Sequence, residues 1–340
     1  MEWEVVELNK KRLIMLQTNE ILYCLDDVSI IPASISKISH RKQCCPFDDN
    51  YNLPIFTAPM PTVVNINNYK NYEKNNIYPI IPRTEDINDR LILCHTNWVS
   101  FSLSEFNKYF VENVFDKYIP NYSMYVLIDV ANGNMEDIFK NVRTAKGFYS
   151  DDLKIMIGNI ANPETYNMAC HCGVDYVRIS VGTGYACTTA TNLGIYYPMA
   201  SLIDKCKACS KSYKNPTKII ADGGIHNYRD IIKSLALGAD YVMLGKMFAE
   251  LKDINSENLT YYGMASNKGK KLLNNKNEFP PEGREIEINK INKTLEEFTN
   301  DIKGYIQSAM SYCNKSLLKD FIGKVEIKVI SNNSSKSFNQ

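Results

Sequence analysis

Short apolar segments rich in β-branched residues recur along the chain from residue 53 onward, and helix-length segments separate them. The segment from Tyr228 to Ala236 places Ile231, Ile232 and Leu235 on one side, as in an amphipathic helix. Strands that alternate with helices form parallel sheets, and eight such units within about 200 residues predict a TIM barrel. The eight predicted strands are residues 54–58, 77–81, 98–101, 124–128, 154–157, 176–179, 218–221 and 241–244.

A doubly wound open sheet is the alternative fold. It would carry a glycine-rich dinucleotide-binding turn after its first strand, but residues 58–62 contain no glycine. We therefore predict an α/β chain with a single TIM-barrel catalytic domain over residues 1–330, in which residues 1–20 form a peripheral helix or hairpin. A polar insertion at residues 264–285, after the last strand, is predicted to be a mobile flap, and residues 331–340 a disordered tail.

Composition excludes several classes of protein. The chain has 340 residues, of which 44% are hydrophobic and 23% charged, and its net charge of +1 gives no general attraction to nucleic acid or anionic membranes. It contains no apolar run long enough for a transmembrane helix, and its acidic N-terminus lacks a signal-peptide core. The ten cysteines have neither zinc-finger spacing nor a secretion signal, so we expect reduced thiols and a cytoplasmic protein.

Polar, glycine-rich loops follow the predicted strands on their carboxyl side, where TIM-barrel enzymes keep their active sites. The loop Gly182–Thr189 delivers Cys187 after two glycines. This position suits a nucleophilic cysteine, although a buried, inert cysteine after a tight turn is the alternative. Residues 222–224 (Asp-Gly-Gly) and 245–246 (Gly-Lys) follow the last two strands and predict a phosphate site built from backbone N–H groups.

Five segments, in this order, resemble the IMP dehydrogenase/GMP reductase family over residues 20–325. They are Leu25-Asp-Asp-Val28, Asp129-Val-Ala-Asn-Gly133, Gly182-x-Gly-x-x-Cys-Thr-Thr189, Ala221-Asp-Gly-Gly224 with Gly238-Ala-Asp-x-Val-Met-Leu-Gly245, and Tyr261-x-Gly-Met264.

Within this family the chain is more similar to GMP reductase. Residues 81–98 leave no room for the CBS domains that IMP dehydrogenases usually carry, and residues 129–133 have the reductase form. Residues 264–282 lack the Arg-Tyr pair with which a dehydrogenase flap activates water, and residues 282–284 (Glu-Gly-Arg) resemble the reductase Glu-Gly-Lys.

The resemblance implies reductive deamination of GMP to IMP with NADPH. Cys187 would attack purine C2 and form a covalent intermediate, and Thr189 and Glu282 would relay protons. The implied nucleotide-binding residues are Asp222, Gly223, Gly224, Gly245, Lys246, Tyr185, Tyr261, Gly263, Met264 and Ala265. The implied cofactor-binding residues are Asp129, Ala131, Asn132, Gly133, Gly158 and Asn159. Carbonyl oxygens of Gly182, Gly184 and Cys187 would bind potassium, and the implied assembly is a homotetramer.

Two positions depart from the family pattern. Tyr185 stands where a phosphate-binding serine is usual, and Lys246 where a small residue is usual, which together predict a reshaped phosphate end. The lysine expected near the second strand is not evident, although Arg83 is nearby.

Two other functions stay open. One is a CBS-less IMP dehydrogenase that converts IMP to XMP with NAD, and the other is a catalytically altered nucleotide-binding relative. A nucleic-acid binder would need a basic stripe, whereas residues 268–271 form only a short basic run.

Overall fold

The structure is a computed structural model that describes residues 20–112, 122–255, 259–273 and 280–336. Residues 1–19, where a helix or hairpin is expected, and residues 337–340 of the expected tail lie outside these ranges. The described part of the tail contains a short helix, Asn332–Lys336. Residues 274–279 of the expected flap also lie outside the described residues.

Twelve strands occur in the described residues. In chain order they are β1 (Val28–Ile30), β2 (Ile55–Thr57), β3 (Ile80–Ile81), β4 (Trp98–Phe101), β5 (Met124–Asp129), β6 (Leu153–Ile160), β7 (Tyr176–Ile179), β8 (Lys218–Asp222), β9 (Tyr241–Leu244), β10 (Thr260–Tyr262), β11 (Glu285–Glu287) and β12 (Ile327–Val329).

Strands β2 to β9 form one parallel sheet in the order β2-β9-β8-β7-β6-β5-β4-β3. A parallel bridge between Phe56 of β2 and Tyr78, just before β3, brings the two ends of the sheet together. The Tyr78 amide donates to the Ile55 carbonyl at 3.0 Å, and the Thr57 amide donates to the Tyr78 carbonyl at 2.9 Å. Each of the eight predicted strands overlaps one strand of this ring, so the predicted TIM barrel is confirmed.

The α-helices alternate with these strands. They are α1 (Tyr69–Lys74), α2 (Ile87–Leu93), α3 (Leu103–Phe106), α4 (Glu136–Tyr149), α5 (Pro163–His171), α6 (Thr189–Leu193), α7 (Met199–Ser210), α8 (Tyr228–Leu237), α9 (Lys246–Ala249), α10 (Asn267–Leu272), α11 (Leu295–Tyr312), α12 (Leu318–Phe321) and α13 (Asn332–Lys336). Short 3-10 helices lie at Leu25–Asp27, Arg41–Gln43 and Ser150–Asp152, and a π-helix at Asn107–Glu112.

Helix α8 shows how the sequence pattern sets the packing. Asn227 caps its start by accepting a hydrogen bond from the Asp230 amide at 3.1 Å, which satisfies a backbone donor that has no partner inside the helix. Ile231 and Leu235 are buried, and α8 packs against α7, α11 and β9. The predicted apolar face of α8 is thus the side that packs against the rest of the barrel.

Two antiparallel strand pairs lie outside the ring. Strand β1 pairs with β12, and β10 pairs with β11. The second pair bounds most of the expected flap, because Tyr262 of β10 lies opposite Glu285 of β11 and helix α10 lies in the chain between them. The two ends of this segment are therefore held by backbone hydrogen bonds.

An aromatic cluster fills the amino-terminal end of the barrel. The Phe56 ring lies 4.9 Å from Tyr78, 5.2 Å from Tyr241 and 6.1 Å from Tyr176, measured between ring centroids. Asp48 Oδ2 accepts hydrogen bonds from the hydroxyls of Tyr78 at 2.6 Å and Tyr241 at 3.2 Å. Burial and the hydrogen bond to Asp48 raise the pKa of Tyr78 above its ordinary value. This end of the barrel is closed, so the opposite end is left for binding.

We expect Asp48→Ala to lower the free energy of unfolding by about 1–3 kcal/mol, because it leaves two largely buried phenols without their acceptor. Urea denaturation of the variant and of Asp49→Ala, which changes an exposed neighbour, measures this effect. Equal stability of the two variants would contradict the role given to Asp48.

Candidate active site

A cavity of about 1030 Å³ opens at the carboxyl ends of the barrel strands. Most of the residues predicted from the sequence line it. These are Asp129, Ala131, Asn159, Gly182, Gly184, Tyr185, Cys187, Thr189, Asp222, Gly223, Gly224, Gly245, Lys246, Tyr261, Gly263, Met264, Ala265 and Glu282. The structure therefore brings residues from seven separate segments of the chain into one site.

Three predicted cofactor residues do not line this cavity. The Gly133 amide donates to the Asn159 carbonyl at 2.7 Å, and a Cβ at residue 133 would lie only 2.7 Å from that oxygen. A Cβ at Gly158 would lie 2.5 Å from Cβ of Arg178. Asn132 accepts a hydrogen bond from the Asn134 amide at 3.1 Å. In the structure these three residues shape and pack the loops that carry Asp129 and Asn159.

Cys187 is the first member of a short hydrogen-bonded chain. Its Sγ lies 3.3 Å from Oγ1 of Thr189, which donates to Oε2 of Glu282 at 3.0 Å. The thiol is half-buried and lines the cavity, so the alternative of a fully buried cysteine does not hold. This chain can carry a proton between the cysteine and a carboxylate exposed to solvent.

Backbone contacts position Glu282 beside the cysteine loop. The Thr188 amide donates to the Glu282 carbonyl at 3.0 Å, and the Arg284 amide donates to the Ala186 carbonyl at 2.9 Å. Gly283 faces Cys187 in an antiparallel bridge. A Cβ at residue 283 would lie 2.9 Å from the Ser266 amide nitrogen, so glycine permits this close approach of the two segments.

A buried arginine joins the carboxylates on two strands. Arg178 of β7 is 7% exposed; its Nη1 donates to Asp129 Oδ1 at 2.7 Å, and its Nη2 donates to Asp222 Oδ2 at 2.9 Å. Burial by itself lowers the pKa of Arg178, but the charges of Asp222 and Asp129 outweigh it and raise the pKa. Sequence reasoning assigned Arg178 no role, although a charged residue inside an apolar strand was the available signal.

The Asp129 side of the cavity holds polar groups that the described residues leave without a hydrogen bond. Arg83 Nε lies 3.4 Å from Asp129 Oδ2, which is near enough for an ion pair, but the angle gives no hydrogen bond. The Thr84 hydroxyl is buried and has no hydrogen-bond partner in the described ranges. Both residues line the cavity. Such donors favour a polar ligand at this end.

Glycines shape the opposite end. Gly223 and Gly224 have φ values of +93° and +71°, which other residues rarely adopt. A Cβ at Gly245 would overlap the Tyr261 hydroxyl. Tyr261 is buried, and this burial raises the pKa of its hydroxyl above the ordinary value. Backbone amides can therefore approach a ligand closely here.

Tyr185 and Lys246, the two departures from the family pattern, lie together at this end. Lys246 Nζ lies 4.3 Å from the Tyr185 ring centroid and 2.7 Å from Glu250 Oε1. Arg284 Cζ lies 5.9 Å from the same ring and donates from Nη2 to the Tyr185 carbonyl at 3.1 Å. The His226 ring lies 6.2 Å from it. Tyr185 thus contacts two cationic side chains, of which Lys246 lines the cavity.

Residues 119–338 match the model of the IMP dehydrogenase / GMP reductase domain. The chain belongs to the IMP dehydrogenase/GMP reductase family. It is 26% identical to a GMP reductase of Shouchella clausii (strain KSM-K16), over 92% of this chain and 97% of the relative. It is 25% identical to a GMP reductase of Buchnera aphidicola subsp. Schizaphis graminum (strain Sg), over 99% and 98%.

Two relatives named inosine-5′-monophosphate dehydrogenase are similar over a shorter stretch. The chain is 33% identical to the inosine-5′-monophosphate dehydrogenase of Chlorobaculum tepidum (strain ATCC 49652 / DSM 12025 / NBRC 103806 / TLS), over 55% of this chain and 41% of the relative. The family resemblance inferred from the five motifs is confirmed, and the chain is assigned to a family of purine nucleotide oxidoreductases. No helix in the described ranges is both long and apolar enough to cross a membrane.

We expect Gly245→Ala to lower the free energy of unfolding by about 1–3 kcal/mol, because the new methyl group overlaps the buried Tyr261 hydroxyl. Removing that hydroxyl as well, in Gly245→Ala/Tyr261→Phe, should restore part of the loss. Urea denaturation measures both changes.

Gly304→Ala is the matched control. A Cβ at this helical glycine meets no atom within 4 Å, so this variant should be as stable as wild type or more stable. The overlap at residue 245 would be refuted if Gly245→Ala were as stable as Gly304→Ala.

Proposed function

We propose that this protein reduces GMP to IMP and ammonia with NADPH, through a covalent bond between Cys187 and purine C2. The observation that carries the proposal is the hydrogen-bonded chain from Cys187 through Thr189 to Glu282, inside a cavity lined by the family's motifs. Full-length similarity to proteins named GMP reductase supports this direction of the reaction.

The first step breaks the bond between C2 and the exocyclic amine of GMP. Cys187 attacks C2 as the thiolate, and its proton passes to the Thr189–Glu282 pair. That pair then returns a proton to the amine, which leaves as ammonia. The product of this step is a purine joined to Cys187 through C2.

The second step releases the cysteine. NADPH, when bound, supplies a hydride to C2. The C2–sulfur bond then breaks, which frees Cys187 as the thiolate and releases the purine, now carrying hydrogen at C2, as IMP. The reductase direction needs no activated water, which agrees with the absence of arginine and tyrosine from residues 264–282.

The nucleotide would occupy the side of the cavity formed by the last two barrel loops. Asp222 would bind the ribose hydroxyls through charge-assisted hydrogen bonds. Gly224 and Gly245 would bind the 5′-phosphate through their amides, and Met264 and Ala265 would meet the purine edge through backbone groups. The other members of this set, which line the same side, are Tyr185, Gly223, Lys246, Tyr261 and Gly263.

The nicotinamide end of the cofactor would lie by Asp129, Ala131 and Asn159. Two observations support binding of a nicotinamide cofactor on this side of the cavity. The cavity of about 1030 Å³ slightly exceeds the usual range for ligand sites, about 300–1,000 Å³, which suits a nucleotide and a nicotinamide together. On this side, Arg83 Nε and the Thr84 hydroxyl make no hydrogen bond to any of the described residues.

Three further properties belong to the same proposal. Carbonyl oxygens of Gly182, Gly184 and Cys187 would hold a potassium ion, since hard cations prefer oxygen ligands. The Gly184 carbonyl already accepts the Cys187 amide at 2.9 Å, and its second lone pair is the one such an ion would use. We also propose a homotetramer, on the family resemblance, and a cytoplasmic location, on the cysteine pattern.

An IMP dehydrogenase is the second candidate, because the chain is 33% identical to such an enzyme over 208 residues. It would run the redox step in the other direction, with NAD, and would hydrolyse the covalent intermediate.

Anaerobic mixing of the protein with GMP and NADPH should lower the absorbance at 340 nm and release ammonia. Cys187→Ala should abolish both signals because no covalent intermediate can form. If the absorbance stays constant with GMP plus NADPH but rises with IMP plus NAD, the protein is an IMP dehydrogenase and not a GMP reductase. No change in absorbance with either substrate pair would indicate a catalytically altered relative.

Glu282→Gln should lower kcat about 10²- to 10⁴-fold, because a neutral amide cannot take part in the proton relay. Cys187 should still be alkylated by a 6-chloropurine nucleotide, as detected by mass spectrometry of the intact protein. Glu287→Gln, which changes another exposed glutamate four residues beyond the flap glycine, is the matched control. Equal kcat values for the two variants would remove Glu282 from the mechanism.

A further inference from the structure

Arg178 occupies a position that the proposed chemistry does not use. It lies on β7, whose neighbours in the ring are β6 and β8, and its guanidinium contacts the last residue of β5 and the last residue of β8. Those two residues are Asp129, at the cofactor end of the cavity, and Asp222, at the nucleotide end. One buried cation therefore bridges carboxylates assigned to two different ligands.

The hydrogen bonds are divided unequally between the two carboxylates. Arg178 donates from Nε at 3.1 Å and from Nη2 at 2.9 Å to the same atom, Asp222 Oδ2, which also accepts from Asn159 Nδ2 at 2.6 Å. Among the described residues, none donates a hydrogen bond to Asp222 Oδ1. Because Asp222 lines the cavity, Oδ1 is the oxygen left for a ribose hydroxyl.

Asp129 is held on both of its oxygens. Oδ1 accepts from Arg178 at 2.7 Å, and Oδ2 lies 3.4 Å from Arg83 Nε. A guanidinium presents its donors as a rigid planar fork, so one arginine can serve two carboxylates at fixed positions, whereas a lysine ammonium cannot reproduce both contacts.

We propose that Arg178 is a positioning residue that couples the two ends of the cavity. Arg178 holds Asp222 with Oδ1 facing the nucleotide only while Asp129 binds the other side of the guanidinium. When Asp129 loses its charge, the guanidinium is drawn towards Asp222 and competes for Oδ1, so a change at the cofactor end weakens nucleotide binding. This inference rests on the proposed function for the identity of the nucleotide.

A double-mutant cycle tests the coupling without turnover. GMP is titrated calorimetrically, with no cofactor present, into wild type, Asp129→Asn, Arg178→Lys and the double variant. We expect Asp129→Asn to raise the Kd for GMP about tenfold, although this residue lies at the cofactor end. In the Arg178→Lys background, the same Asp129→Asn change should raise the Kd by less than about twofold, because the coupling element is already lost.

Lys146→Met is the matched control. Lys146 Nζ lies 2.6 Å from Oδ2 of Asp175, the residue immediately before β7. This variant therefore breaks a half-buried ion pair at the opposite end of the same strand. It should lower the melting temperature and leave the Kd for GMP unchanged. An equal rise in Kd for Lys146→Met would show that any loosening of β7 weakens binding, which overturns the inference.

Strictly additive effects of Asp129→Asn and Arg178→Lys would also overturn the inference, since Arg178 would then be an ordinary structural ion-pair partner.

Failure of the proposed function would give a different result. Wild type that binds GMP but does not oxidise NADPH contradicts the proposed reaction, and the cycle still measures the coupling. If wild type binds only IMP, the same titrations are made with IMP. Binding of neither nucleotide contradicts both proposals.

Discussion

The parallel ring of eight strands constrains everything else in this protein. Parallel strands of a barrel are covered on both faces, by side chains inside and helices outside, so they tolerate few polar groups along their length. Phe56 and its aromatic neighbours fill the amino-terminal end of the barrel. The carboxyl ends are then left for loops that bring polar groups together around a cavity. The cavity lies there, with Cys187, Asp129 and Asp222 around it.

Charge inside this ring is kept only where it is balanced. Arg178 is the exception to the apolar character of β7, and it is buried between two carboxylates that raise its pKa. A buried ion pair gives little net stability, but losing one partner is costly because the other charge is left alone. The arrangement therefore favours specific positions of Asp129 and Asp222 over stability, which is the property that the proposed two-ligand site requires.

The flap shows a different way of positioning a group. Glu282 is exposed, yet backbone hydrogen bonds on both sides of Gly283 fix it against the cysteine loop. At the rim, Lys246 is paired with Glu250 and lies over Tyr185. The two departures from the family pattern therefore form one contact, in which the aromatic ring supports the cation. This is a physical reason for tyrosine and lysine to occur together in this chain.

The sequence alone determined the eight strands, the barrel and the family, because apolar periodicity and glycine placement are local properties of the chain. It also placed Cys187 and Asp222 in one site, since loops at the carboxyl ends of parallel strands must converge, whereas Glu282 was placed there by the family resemblance alone. It did not predict the role of Arg178, because a charged residue within a strand has meaning only once its partners, 49 and 44 positions away in the chain, are known. The packing roles of Gly133 and Gly158 were likewise decided by tertiary structure, since close contact between loops distant in sequence leaves no local signal.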